Sequence, residues 1–145
     1  MNSLADGPSS FIGPHEKREL ELMTSGAKPL AMFVEPLPSN HEFFDEQAFD
    51  TLVEQIALVK QVRIESVITP EGASGQIRRV LYAQAAQAWR IPAMLLIQDA
   101  YSSLGVGVRP DFERIIGLLL GYERDDVEKY VAFLTQRFGA SERQD

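Results

Sequence analysis

Two runs of alternating character, "LVKQVRIESVI" at 58–68 and "QIRRVLYAQ" at 76–84, flank the turn cluster "TPEGASG". Val62, Ile64 and, after a break, Val67 alternate with polar neighbours, a period of two that fits a half-buried strand. Pro and Gly between the runs punctuate them as a turn. Together they predict a β-hairpin with a long connection, which commits the middle of the chain to an antiparallel sheet. Arg63, Arg78 and Arg79 fall near the faces or edge of that hairpin. "KPLAMFV" at 28–34 is short, apolar and not alternating, so it predicts a third, buried strand. Pro29 belongs at its start or on an edge, and "EPLPSNHEFF" at 35–44 follows as a loop.

The rest of the chain has helical spacing. Pro14 suits a first helical position and Gly26 a stop, which predicts a helix over 14–25 with "HEKRE" in solvent. Phe49, Leu52, Val53 and Ile56 predict a helix over 46–57. A third helix is predicted over 85–105, with Pro92 near its start and Met94, Leu95, Ile97 and Tyr101 buried. Helices 110–121 and 124–139 follow, stopped by Gly121 and Gly139, and the short link "GYERD" makes them a helical hairpin. Strands early and helices late give an α+β fold, a small antiparallel sheet of about three strands packed against a C-terminal group of helices. The expected organisation is a flexible N-terminus over 1–12, a single domain over 13–139 and a flexible tail over 140–145.

Composition narrows the functional classes. With no cysteine among 145 residues, a disulfide framework, a thiolate nucleophile and a cysteine-held metal are excluded. No basic, apolar leader opens the chain, and "IPAMLLI" is too short to span a bilayer, so a cytoplasmic protein with no membrane contact is expected. The net charge is −7, and all of it falls in residues 1–71, where 12 acids meet 5 bases; residues 72–145 carry 9 of each. That distribution disfavours nucleic acid as a partner, which would require Arg78, Arg79 and Arg90 to converge.

Few residues suggest chemistry. His15-Glu16 has the types of a general base and its orienting carboxylate, and His41-Glu42 repeats the pair. "HEKRE" is not H-E-x-x-H, however, and reads as a solvated first helical turn with weak i,i+3 or i,i+4 charge pairs. "LGVGVRPD" lacks the third glycine of a dinucleotide fingerprint, and "EGASGQ" lacks the Lys-Ser/Thr of a phosphate loop. Asp45-Glu46 and Asp125-Asp126 sit where helix N-termini favour acids. No catalytic residue, metal ligand or cofactor site is assigned.

Trp89-Arg90 is the most individual pair. It is either an anchor for a partner or a packing residue at the sheet–helix junction beside a neutralising arginine. Leu118, Leu119 and Leu120 in succession give helix 110–121 at least two apolar sides, and Gly117 permits close helix approach, so a homodimer through that helix is expected. These features point to a non-catalytic protein-binding or regulatory module of the immunity, antitoxin or anti-activator type. Trp89, Arg90 and Tyr122 are its candidate contacts, and Glu16, Glu19 and Glu42 supply charge. The alternative is a small-molecule-binding protein or enzyme whose pocket uses His15, Glu16, Arg78 and Arg90.

Overall fold

The computed structural model of this chain describes residues 17–38, 43–69, 71–105 and 107–139. In order they form α1 (Glu19–Ser25), β1 (Leu30–Leu37), α2 (Glu46–Glu54), β2 (Leu58–Ile68), β3 (Ser74–Gln84), a 3₁₀ turn (Ala85–Gln87), α3 (Arg90–Ser103), α4 (Pro110–Leu120), α5 (Arg124–Leu134) and a closing π-helical turn (Thr135–Gly139). The fold is α+β, with one three-stranded antiparallel sheet of order β1-β3-β2 and the longer helices C-terminal to it. No helix of the described residues is long and apolar enough to cross a membrane.

Contacts gather into two compact units, with the boundary inside α3 after Ile91. Residues 20–91 hold the sheet with α1 and α2. The hairpin forms as the alternation predicts: β2 and β3 pair without interruption from Leu58↔Gln84 to Ile68↔Ser74. β1 closes the other side of β3, from Leu30↔Ala83 to Leu37↔Gln76. Pleating then sorts the side chains. Ala31, Phe33, Val80, Tyr82 and Leu58 point to one face, where Met23 of α1 and Phe49 of α2 complete a buried cluster. Phe33 stacks on Phe44 at 4.0 Å, and Phe49 on Tyr82 at 5.0 Å, so aromatic rings fill most of that layer. Leu30, Leu81 and Ala83 are buried on the opposite face.

Several predicted boundaries shift, each for a local reason. α1 starts at Glu19 because Lys17 adopts a left-handed φ of 65°. The predicted start at Pro14 lies outside the described residues. β1 runs to Leu37, into the predicted loop, because its ladder with β3 continues past Glu35 and Pro36. α2 ends at Glu54 instead of 57: Ile56 turns left-handed, and Ala57 and Ile56 donate back to the carbonyls of Leu52 and Val53. The predicted helix 85–105 divides into a 3₁₀ turn and α3. Pro92 has no N–H to donate and its ring crowds the carbonyl four residues back, so the α-helix begins only two residues before it.

The second unit takes in the helices from Pro92 onward. Tyr101 of α3 donates to Glu113 at 2.6 Å and accepts from the Arg109 backbone at 3.1 Å, which fixes the entry to α4. Burial, with the Glu113 carboxylate adding to it, pushes the Tyr101 phenol up to about 12. Pro110 and Asp111 open α4, and Gly121 closes it in a left-handed turn. Gly117 is buried, and a methyl group there would come within 2.6 Å of Val127, so α4 and α5 pack backbone to side chain at this point. Arg114 of α4 ties to Glu128 of α5 at 2.8 Å on the outside of the pair.

Candidate functional site

Among the described residues, the densest group of ionisable side chains lies on the α2 face of the sheet, beside the aromatic layer. Glu46 and Asp50 are four residues apart on α2, so both carboxylates project from one side of that helix. Arg78 of β3 grips Glu46 with two bonds, of 2.9 and 2.6 Å, and reaches Glu35 of β1 at 3.2 Å. Lys60 of β2 bridges Glu46 and Asp50, at 2.8 Å from each. The Tyr82 hydroxyl donates to Asp50 at 2.8 Å.

The electrostatics follow from these contacts. The hydrogen bonds from Arg78, and then from Lys60, outweigh partial burial and hold the Glu46 carboxyl at about 2. Partial burial alone would lower Lys60, but the hydrogen bonds to Asp50 and Glu46 overcome it and leave its ammonium harder to deprotonate. Burial, and then Asp50, raise the Tyr82 phenol. Glu46, Lys60 and Arg78 are thus held in their ionised forms by contacts internal to the fold. Glu46 moves down and Lys60, Arg78 and Tyr82 move up, so these four groups are driven away from proton exchange near neutral pH. Its chemistry is that of a clamp: Glu46 and Asp50 fasten α2 to β2 and β3, and Arg78 carries the tie on to Glu35 of β1.

A second, smaller clamp lies on the other face. Arg79 makes two bonds to Glu65, of 2.7 and 3.0 Å, and Arg63 a third of 2.7 Å. The Arg79 bonds, ahead of those from Arg63, lower the Glu65 carboxyl. Arg78 and Arg79 therefore sit on opposite faces of β3, and the two do not converge as a nucleic-acid footprint requires. Among the described residues no group of three or more metal-ligating side chains comes together.

An open groove of about 690 Å³ lies at the turn end of the hairpin. Leu37, Pro38, Ser66–Ile68 and Ser74–Gln76 line it, and none of these side chains titrates.

At the opposite end of the sheet the surface is different in kind. The Ala85 amide donates to the Ala57 carbonyl at 3.2 Å, which brings the end of α2 against the exit of β3. Ile56 precedes Ala57 by one residue in the chain, and Trp89 follows Ala85 by four. Ile56 is 83% exposed, and Trp89 is 56% exposed with the Arg90 guanidinium 4.8 Å from its ring. Arg90 also donates to the Gln87 side chain at 2.9 Å. The lone tryptophan thus belongs to the surface and forms a cation–π pair there.

Of the residues singled out in the sequence, the structure brings Trp89 and Arg90 together. Arg78 is committed to the α2 clamp. Glu19 opens α1, half-buried, and Tyr122 follows Gly121 in the second unit, also half-buried. His15, Glu16 and Glu42 lie outside the described residues. Sequence reasoning missed Asp50, Lys60 and Tyr82, which meet only through sheet pairing. It also missed Ile56, whose left-handed backbone has no glycine to announce it. The i,i+4 spacing of Glu46 and Asp50 was the one available signal for the clamp.

The chain matches no protein-family model, no curated protein sequence and no solved structure.

Proposed function

We propose that this chain is a non-catalytic protein-binding module, and that the Ile56–Trp89–Arg90 end of the sheet is its contact surface. The observation that carries the reading is the exposed Trp89 ring under Arg90. Trp and Arg dominate the energetics of protein interfaces, because a large rigid ring and a planar cation bury much area at little entropic cost. Ile56 supports it. A β-branched residue with φ of 62° is strained, and this one exposes nearly its whole side chain. Strain held at an exposed apolar position is a mark of a surface kept for contact. The α2 clamp supports it from the other side, since Glu46, Asp50, Arg78 and Lys60 are spent on holding the helix to the sheet.

The test is a paired capture from lysate of the source cells, with the wild-type chain and Trp89→Ala as baits. Proteins retained by the first and lost by the second, with unchanged circular dichroism, identify the partner. Identical retention by both baits removes Trp89 from the reading. A saturable thermal shift with a metabolite, in the absence of any such protein, favours the small-molecule alternative.

Self-association is a separate question from partner binding, and the α4 surface expected from the sequence is one of two arrangements for it. The expected homodimer surface on α4 exposes Leu118 and Ile115, one turn apart.

A further inference from the structure

The two edges of the sheet are built differently. β1 carries Pro36, whose missing N–H blunts that edge against further pairing. β2 has no proline, glycine or bulge along its whole ladder with β3, and among the described residues no strand lies beyond it. Val62, Ile64 and Ile68 follow one another on one face of β2 and are 40%, 50% and 71% exposed. A long regular edge with apolar side chains is a template for another strand.

We propose that two copies of this chain join through β2, antiparallel about a two-fold axis at Ile64, making one continuous six-stranded sheet. Charge selects both the occupant and the register. With Ile64 opposite its own copy, Arg63 falls opposite Glu65 of the second copy and Glu65 opposite Arg63, two complementary pairs on one face. On the other face the two exposed Ile64 side chains meet, with Val62 opposite Ser66. Residues 60–68 of both copies pair. Moving the axis by one residue to Arg63 sets arginine against arginine, which cross-strand pairing disfavours. Only an isologous contact gives both complementary pairs from one strand sequence. The surface is distinct from Trp89, so this inference stands or falls separately from the binding reading.

The absence of cysteine makes the test clean. Ile64→Cys places two thiols directly opposite, at the cross-strand Cα separation of about 5 Å that a disulfide spans. Val62→Cys places them about 13 Å apart along the strand, out of reach. On mild oxidation Ile64→Cys is expected to run mostly as a covalent dimer, and Val62→Cys and Leu118→Cys as monomers. Sedimentation of the unmodified chain should show a monomer–dimer equilibrium. Arg63→Glu, which sets like charges opposite one another, should shift it to monomer with the circular dichroism spectrum retained. A monomer at all concentrations overturns the proposal. So does cross-linking by Leu118→Cys without Ile64→Cys, which assigns the dimer to α4, or Arg63→Glu leaving the equilibrium unchanged.

Discussion

Ile56 occupies a backbone position that this chain elsewhere gives to glycine. α1 ends at Gly26 and α4 at Gly121, each left-handed at φ of 84° and 82°, and each followed by an amide that donates back into the helix. α2 ends by the same pair of bonds with isoleucine in the left-handed place. A Cβ at such φ costs about 1–2 kcal/mol. Ile56→Gly is therefore expected to raise stability by about 1 kcal/mol in urea unfolding, against the usual cost of a new glycine. The same variant should weaken partner capture if the side chain is kept for contact. Glu46 illustrates the opposite case, a residue wholly committed to the fold. Its carboxyl titrates at about 2 in the folded chain, against an ordinary 4.5. A depressed folded value means that the clamp contributes fully above about pH 4.5 and is lost as pH falls towards 2. The lowered Glu65 acts in the same direction. The urea midpoint should therefore fall more steeply with acid in the wild type than in Glu46→Gln, and the two curves should converge near pH 2. Parallel curves would show that the clamp contributes nothing. Neither residue announced its role in the sequence. Ile56 continues an apolar helical stripe, and Glu46 resembles any acid at a helix start until β2 and β3 bring Lys60 and Arg78 beside it.

Elements were legible where the cause was local and obscure where it was tertiary. The alternation in 58–68 located β2 at its observed ends, and Pro110 with Gly121 bounded α4, because each signal acts on the backbone that carries it. The sequence marks Gly117 as a point of close helix approach, and the structure supplies its neighbour, Val127 of α5. That contact sets up a double-mutant test of the α4–α5 pair. Gly117→Ala gains about 1 kcal/mol of helix propensity but drives a methyl group into the Val127 side chain, at an overpacking cost of about 1–3 kcal/mol. Alone it should destabilise the protein by about 1 kcal/mol. In a Val127→Ala background the clash is gone, and the same change should become stabilising. A sign reversal between backgrounds, measured by thermal or urea unfolding, verifies the packing; equal effects in both would show the helices apart. What stayed hidden was the extension of β1 through "EPL" to Leu37, where composition reads as loop. Pairing with β3 decides that stretch, and the Arg78–Glu35 bond fixes it, across a separation of 43 residues.

At the scale of the whole molecule, the hairpin makes the sheet and the charge distribution sets its response to solvent. The α+β class followed from the order of strand-like and helical segments. The strand order β1-β3-β2 did not, since nothing local states which side of β3 receives β1. The excess of seven negative charges falls wholly within residues 1–71, which contain α1, β1, α2 and β2. Two opposed effects of salt follow. Screening weakens the attractive pairs Arg78–Glu46, Lys60–Asp50 and Arg79–Glu65, but these are partly buried and in contact, where mobile ions have little access. It also weakens repulsion among exposed acids such as Glu21, Glu54 and Glu71, which act on one another through solvent, where screening is most effective. Repulsion is thus relieved more than attraction is lost. Raising sodium chloride from about 10 mM to about 0.15 M, which shortens the screening length from about 30 to about 8 Å, should raise the melting temperature by about 2 °C. Differential scanning calorimetry at fixed micromolar protein measures it. A fall over the same range would mean that the ion pairs, and not the net charge, dominate the electrostatic stability of the fold.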